Sequence, residues 1–179
     1  MDTPNAPHTR LVGFGNRLVE VHIWLRDALA QLREDVVAYV DGGERPQQLR
    51  SHCLTFCSAL SRHHRGEDDG MFPVLAEQIP ELRPALEQLR HDHDVVAGLL
   101  RSIEDLVGGL GPHADADEAQ RVRGELDGLI ALLESHFGYE ERTLVAALNT
   151  LRVPALDEAR GDVLLAGADV GPEGGWTDP

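Results

Sequence analysis

The chain has 179 residues, 42% of them hydrophobic and 26% charged, enough for one domain with a real core and hardly enough for two. Against 31 acidic residues stand 16 basic ones, all arginine, for a net charge of −15; such a chain repels phosphate backbones and anionic lipid, which argues against nucleic-acid and membrane-surface partners. No apolar run is long enough to span a bilayer and no basic-then-apolar leader opens the chain, so a cytoplasmic location is expected.

Residues 1–9 hold two prolines and no apolar pattern, and read as a flexible arm. A first helix follows, with Leu18, His22, Leu25, Leu29, Leu32 and Val36 at three-to-four spacing along one face. It fades at Tyr39-Val40, and Asp41-Gly42-Gly43-Glu44-Arg45-Pro46 breaks and restarts the chain. A second helix is expected from about Pro46 to about Gly70, with Leu49, His52, Phe56, Ala59 or Leu60, His63 and Glu67 on its face. Residues 71–75 read as a short connecting piece. The stretch Ile79-Pro80-Glu81-Leu82-Arg83-Pro84 then opens a third helix with the face Leu86, Leu89, His93, Val96 or Ala97, Leu100, Ile103 and Val107, stopped between Gly108 and Pro112. A fourth runs from about Asp115 to Leu151, carrying Leu126, Leu129, Leu133, His136, Glu140, Leu144 and Ala147 in register. Beyond Pro154 the pattern is mixed. Residues 155–168 could form a short extra helix, and 171–179 read as a loose tail. No strand-period segment of any length is present. The expected fold is all-α, an antiparallel up-down-up-down four-helix bundle over residues 10–152 with a short C-terminal extension, 153–179.

Two cysteines, Cys53 and Cys57, are too few for a thiolate metal site and read as small buried apolar residues. The nine histidines are more informative. Each expected helix carries one on its apolar face: His22, His63, His93 and His136. In an antiparallel bundle their depths, counted from the helix ends at about 1.5 Å per residue, agree closely enough for four imidazoles to converge on one layer. Two carboxylates join them. Glu67 lies four residues after His63 and Glu140 four after His136, so each pair sits on one face a turn apart. A buried unpaired Glu is costly, and coordination to a cation removes that cost. Imidazole with carboxylate suits iron, manganese or zinc rather than magnesium or calcium. Four imidazoles and two carboxylates suit two metals better than one, with each carboxylate able to bridge and room left for an oxo or hydroxo bridge and an exogenous molecule. Asp68 and Asp69 read as a solvated acidic turn. His52 lies on the core face about three turns from His63 and reads as a satisfied core histidine; His91 reads as exposed, and His8 and His113 fall in loose segments.

The order of these residues, His22, then His63-His64-Arg65-Gly66-Glu67-Asp68 followed by Phe72-Pro73, then Asp92-His93, then His136-x-x-x-Glu140, resembles the hemerythrin-like, or HHE cation-binding, domain family, in its actinobacterial members. The resemblance covers about residues 10–150. It implies a four-helix bundle holding two non-haem iron ions with a bridging oxygen species, and a protein that binds O2, reacts with peroxide or nitric oxide, or senses iron or oxygen. There are departures. Hemerythrin has a second histidine on its third helix, where this chain has Leu89 and Ala97 on either side of His93; five residues after His136, where hemerythrin has Asp, stands Glu141. One imidazole short, the site is expected to favour redox turnover over reversible O2 carriage. His64 points about 100° away from His63 around the helix, and is left open as a further ligand, as is Glu141. The leading expectation is therefore a di-iron oxidoreductase of oxidase or peroxidase type. With no dinucleotide fingerprint in the chain, an external electron donor would dock on the surface. The alternatives are an O2- or iron-binding sensor without turnover, and a structural bundle with a casual zinc site.

Overall fold

In a computed structural model, residues 13–40, 49–109 and 115–151 are described. All the regular structure among them is helical. The long helices are α1 (Phe14–Val40), α2 (Leu49–Gly66), α4 (Arg83–Gly109) and α5 (Ala116–Thr150), with the short α3 (Phe72–Gln78) after α2. The expected N-terminal arm, C-terminal extension and loop histidines His8 and His113 lie outside the described residues.

The helix boundaries have local causes. Asp115 caps α5, its side chain accepting a hydrogen bond from the Glu118 backbone N–H at 2.8 Å, and Asp117 and Glu118 add negative charge to the first turn. The expected end of the second helix is corrected. At Gly66 the chain does not stop; it widens into a π-turn, Glu67–Met71, and continues as α3 through the segment that reads as a connecting piece. Pro73 accounts for the widening. It has no N–H to donate and its ring crowds the carbonyl four residues back, so the wider turn carries the chain past it. A 3₁₀ turn, Pro80–Leu82, then leads into α4.

Helix α1 packs on α2 and α5, and α4 packs on the same two. Cross-helix bonds place the start of α1 beside the end of α5: Gly15 N–H donates to Asn149 Oδ1 at 3.0 Å, while further along Arg26 meets Glu134 at 3.0 Å and Arg33 meets Asp127 at 3.2 Å. Between α1 and α2, Asp35 meets His52 at 2.8 Å and His22 meets His63 at 3.1 Å.

The core is divided in two. One apolar cluster runs from Leu25 to Tyr39 on α1 and takes in Leu49–Leu60, Val96–Val107 and Val122–Phe137. The other joins Leu18, Met71, Phe72, Leu75, Leu86, Leu89, Leu144 and Leu148. Each fully buried Leu or Phe contributes about 1.5–3 kcal/mol. Between the clusters, on every long helix, the apolar stripe gives way to buried polar residues: His22, His63, His64, Glu67, His93, His136 and Glu140. Cys53 and Cys57 are buried in the larger cluster as free thiols, their sulfurs 3.9 Å apart.

Candidate metal centre

The polar layer brings all six of the sequence-predicted residues together and adds a seventh. His22, His63, Glu67 and Glu140 offer ligand atoms within 4.8 Å of one another, and His64, His93 and His136 form a second such set. His22 Nε2 lies 3.1 Å from His63 Nε2. The two carboxylates connect the sets. Glu67 places Oε1 3.1 Å from His63 Nε2 and Oε2 3.5 Å from His93 Nε2. Glu140 Oε2 lies 3.3 Å from His22 Nε2 and 3.7 Å from His136 Nε2. Both glutamates are fully buried.

His64 is the residue that sequence reasoning left open. It is buried, and its ring stacks on His93 with centroids 3.9 Å apart and planes 6° apart. The 100° offset from His63 does not turn it away from the layer, because the layer is two donor sets wide: His63 faces one and His64 the other. The adjacency of the two histidines was the available signal.

The electrostatics are those of charge-bearing groups held dry. Burial, then Glu140 and Asp68, hold the Glu67 carboxyl well above the usual carboxylate range. Burial, then the neighbouring imidazoles, push His63 and His64 well below the ordinary imidazole value, and burial lowers His136 against the pull of Glu140. Both carboxylate oxygens of Glu67 and of Glu140, Nε2 of His64 and of His93, and both ring nitrogens of His136 are buried with no hydrogen-bond partner. Buried polar groups are nearly always partnered, and leaving one bare costs on the order of 1–3 kcal/mol. Seven of these eight atoms fit cations bound by imidazole and carboxylate, which would satisfy them together; the eighth, His136 Nδ1, faces Asp92 instead.

Around the layer stand charged residues to which the sequence reading gave other roles. Asp68 is corrected: it is not merely solvated, because its Oδ1 accepts from His93 Nδ1 at 3.0 Å. Glu141 is not among the converging donors; its Oε1 accepts from His22 Nδ1 at 2.9 Å and from Arg26 at 2.8 Å. Burial pushes Glu141 up, but the hydrogen bonds from Arg26 and His22 outweigh it and hold the carboxyl below its usual range. His52 is half-buried rather than core, and pairs with Asp35 at 2.8 Å; His91 is exposed, as expected.

No helix among the described residues is long and apolar enough to cross a membrane. No curated protein and no solved structure matches the chain. The model of one family, the hemerythrin HHE cation binding domain, matches residues 15–148, which spans every residue of the buried layer. With three quarters of its length under that match, the chain belongs to the hemerythrin HHE cation-binding family.

Proposed function

We propose that the protein is a cytoplasmic non-haem di-iron protein, folded as an antiparallel up-down-up-down bundle, whose centre reacts with O2, peroxide or nitric oxide in oxidase- or peroxidase-type redox chemistry. The observation that carries this reading is the pair of buried donor sets joined by two carboxylates, each with atoms beside an imidazole of both sets. His22 and His63 would hold one ion and His64, His93 and His136 the other, with Glu67 and Glu140 between them. Two irons held there, with the oxo or hydroxo bridge that the family resemblance implies, would supply the one- or two-electron chemistry. The residues of the chain set the rest. The uneven imidazole count leaves the His22–His63 side with more room for a small diatomic or peroxide ligand. Phe137, stacked on His22 with centroids 4.2 Å apart, keeps that side apolar. The apolar clusters above and below exclude bulk water. An external electron donor would act from the surface.

A second reading, O2 or iron binding and sensing without turnover, gains support from His64. With it the chain offers five imidazoles, so the reason for setting reversible binding aside is gone. Metal content of protein purified without added metal, read with the visible spectrum, tests the common part. Two irons per chain with oxo-to-iron charge-transfer bands are expected; one zinc or a colourless metal-free protein would overturn it. Multiple turnovers of peroxide or nitric oxide with a supplied reductant would then select the enzyme, and stoichiometric, reversible O2 uptake the binder.

A further inference from the structure

The chain contains one arrangement twice. A lone histidine is followed, one helix later, by His-x-x-x-Glu and then by an acid: His22 with His63, Glu67 and Asp68, and His93 with His136, Glu140 and Glu141. The closing acids sit at the edge of the layer, with side chains 30% and 24% exposed. Adjacent residues point about 100° apart, so while Glu67 and Glu140 face inward, the acid after each faces the neighbouring helix. Each reaches the lone histidine of the other arrangement. Asp68 accepts from Nδ1 of His93 at 3.0 Å, and Glu141 accepts from Nδ1 of His22 at 2.9 Å.

The surroundings of the two contacts also match. An arginine on the histidine's own helix meets the acid: Arg26 donates to Glu141 at 2.8 Å, and Arg90 lies 3.7 Å from the Asp68 carboxylate while donating to the Asp68 carbonyl at 2.8 Å. Each guanidinium lies over a phenylalanine, Arg26 over Phe137 at 5.2 Å and Arg90 over Phe72 at 6.0 Å. The same phenylalanine stacks on the histidine, at 4.2 Å for His22 and 5.6 Å for His93. Each imidazole is thus held by a face and by one nitrogen. His136 differs, its Nδ1 standing 3.7 Å from Asp92, too far for a hydrogen bond.

We propose that Asp68 and Glu141 are a reciprocal pair of positioning residues: each receives the Nδ1–H of the lone histidine from the other half of the chain, and so fixes that ring with its Nε2 lone pair aimed at the metal centre. This rests on the metal reading of the site. A neutral imidazole has one N–H and one lone pair, and an ionised carboxylate can only accept. An acid at Nδ1 therefore places the proton there and the lone pair at Nε2. That lone pair is where a cation would need it: His22 Nε2 is 3.3 Å from Glu140, and His93 Nε2 is 3.5 Å from Glu67. Fixing the tautomer before binding, and raising the basicity of the ring, both strengthen the metal bond.

Two measurements on the full chain test this. In metal-free protein, ¹⁵N NMR of the histidine rings should show the Nδ1–H tautomer for His22 and His93, with a mixture appearing at His22 in Glu141→Gln and at His93 in Asp68→Asn; Nε2–H rings in the wild type would overturn the proposal. Titration with Co(II) against a competing chelator should show a 10- to 100-fold loss of affinity at one of two sites in each variant, with shifted d–d bands. Asp68→Glu, which keeps the carboxylate, should restore most of the loss. Glu134→Gln, which removes a partner of Arg26 that does not touch His22, should leave affinity and bands unchanged. Both amide substitutions preserve side-chain size, and circular dichroism checks that helix content is kept. Wild-type affinity and bands in both amide variants would overturn the inference, as would an Asp68→Glu loss equal to that of Asp68→Asn. A wild type that takes up no Co(II) would overturn the metal reading itself, and with it the proposed role of both acids.

Discussion

The adjacent histidines His63 and His64 face different donor sets, and they make the sharpest test of the centre at single-residue level. His64→Ala removes an imidazole only from the set of His93 and His136. Metal per chain, measured by atomic emission, should fall from two toward one while circular dichroism stays unchanged. His52→Ala should leave metal content intact, since its partner is Asp35, outside the layer. The sequence pattern carried six of the seven converging residues, because three-to-four periodicity reports which residues share a face. It left His64 open because a face drawn through His63 is a line, whereas the layer is broad enough to be reached from two neighbouring positions. It left out Asp68 because nothing in the acidic run Glu67-Asp68-Asp69 marks which member meets a histidine on another helix.

Glu67 makes a second residue-level prediction. Burial and its acidic neighbours raise its affinity for a proton in the metal-free fold, and a cation must displace that proton to reach the oxygens. Loading Zn(II) at neutral pH in lightly buffered solution should release protons, read with a pH indicator; uptake without release would remove Glu67 from the ligand set. The metal-free fold also carries a pH signature. His63, His64 and His136, lowered in the fold, cost stability as pH falls below the ordinary imidazole value of about 6.5, where the unfolded chain takes up protons that they refuse. Glu67, raised in the fold, acts the other way, costing stability as pH rises above about 4.3. Three groups oppose one, so the Tm of chelator-treated protein should fall between pH 7 and pH 5. A Tm that rises over that interval would contradict the burial of these imidazoles.

Among the elements, α1 and α5 come close at Gly15. A Cβ on Gly15 would stand 2.4 Å from the Val145 carbonyl oxygen and 2.9 Å from its Cα, both backbone atoms that cannot swing aside. Gly15→Ala should therefore destabilise the fold by about 1–3 kcal/mol. For a chain of this size that lowers Tm by roughly 2–4 °C per kcal/mol, which thermal melts would resolve. The long helices were legible because each keeps an apolar stripe over many turns. The π-turn was not. Its Gly70 and the Pro73 that follows carry the usual marks of a helix end, and only the packing of Met71, Phe72 and Leu75 into a core cluster keeps the chain coiled through them. That continuation seats Phe72 against His93, so the misread segment is the one that builds a wall of the site.

At the level of the whole molecule, the meeting of the four helix-face histidines was legible from helix lengths, because 1.5 Å per residue is a rigid ruler and the layer interrupts every stripe at one height. The cost of a buried carboxylate was legible in the sequence; how many polar atoms share it was not. A core split by eight unpartnered polar atoms is a weak plane in a metal-free protein, and cations bound there would strengthen it.

The reciprocal reach of the donors has a consequence for how the molecule opens. Glu67 lies beside histidines of both halves of the chain, and so does Glu140, so neither half can detach from a bound ion without the other losing its ligands. Backbone amides report this through their exchange with deuterated solvent. In the metal-free chain, amides of the two apolar clusters, around Leu25–Leu32 and around Leu144–Leu148, should exchange through separate openings with unequal free energies. Once metal is bound, the slowest amides in both stretches should converge on a single value, because cations held between the clusters would join them into one cooperative unit.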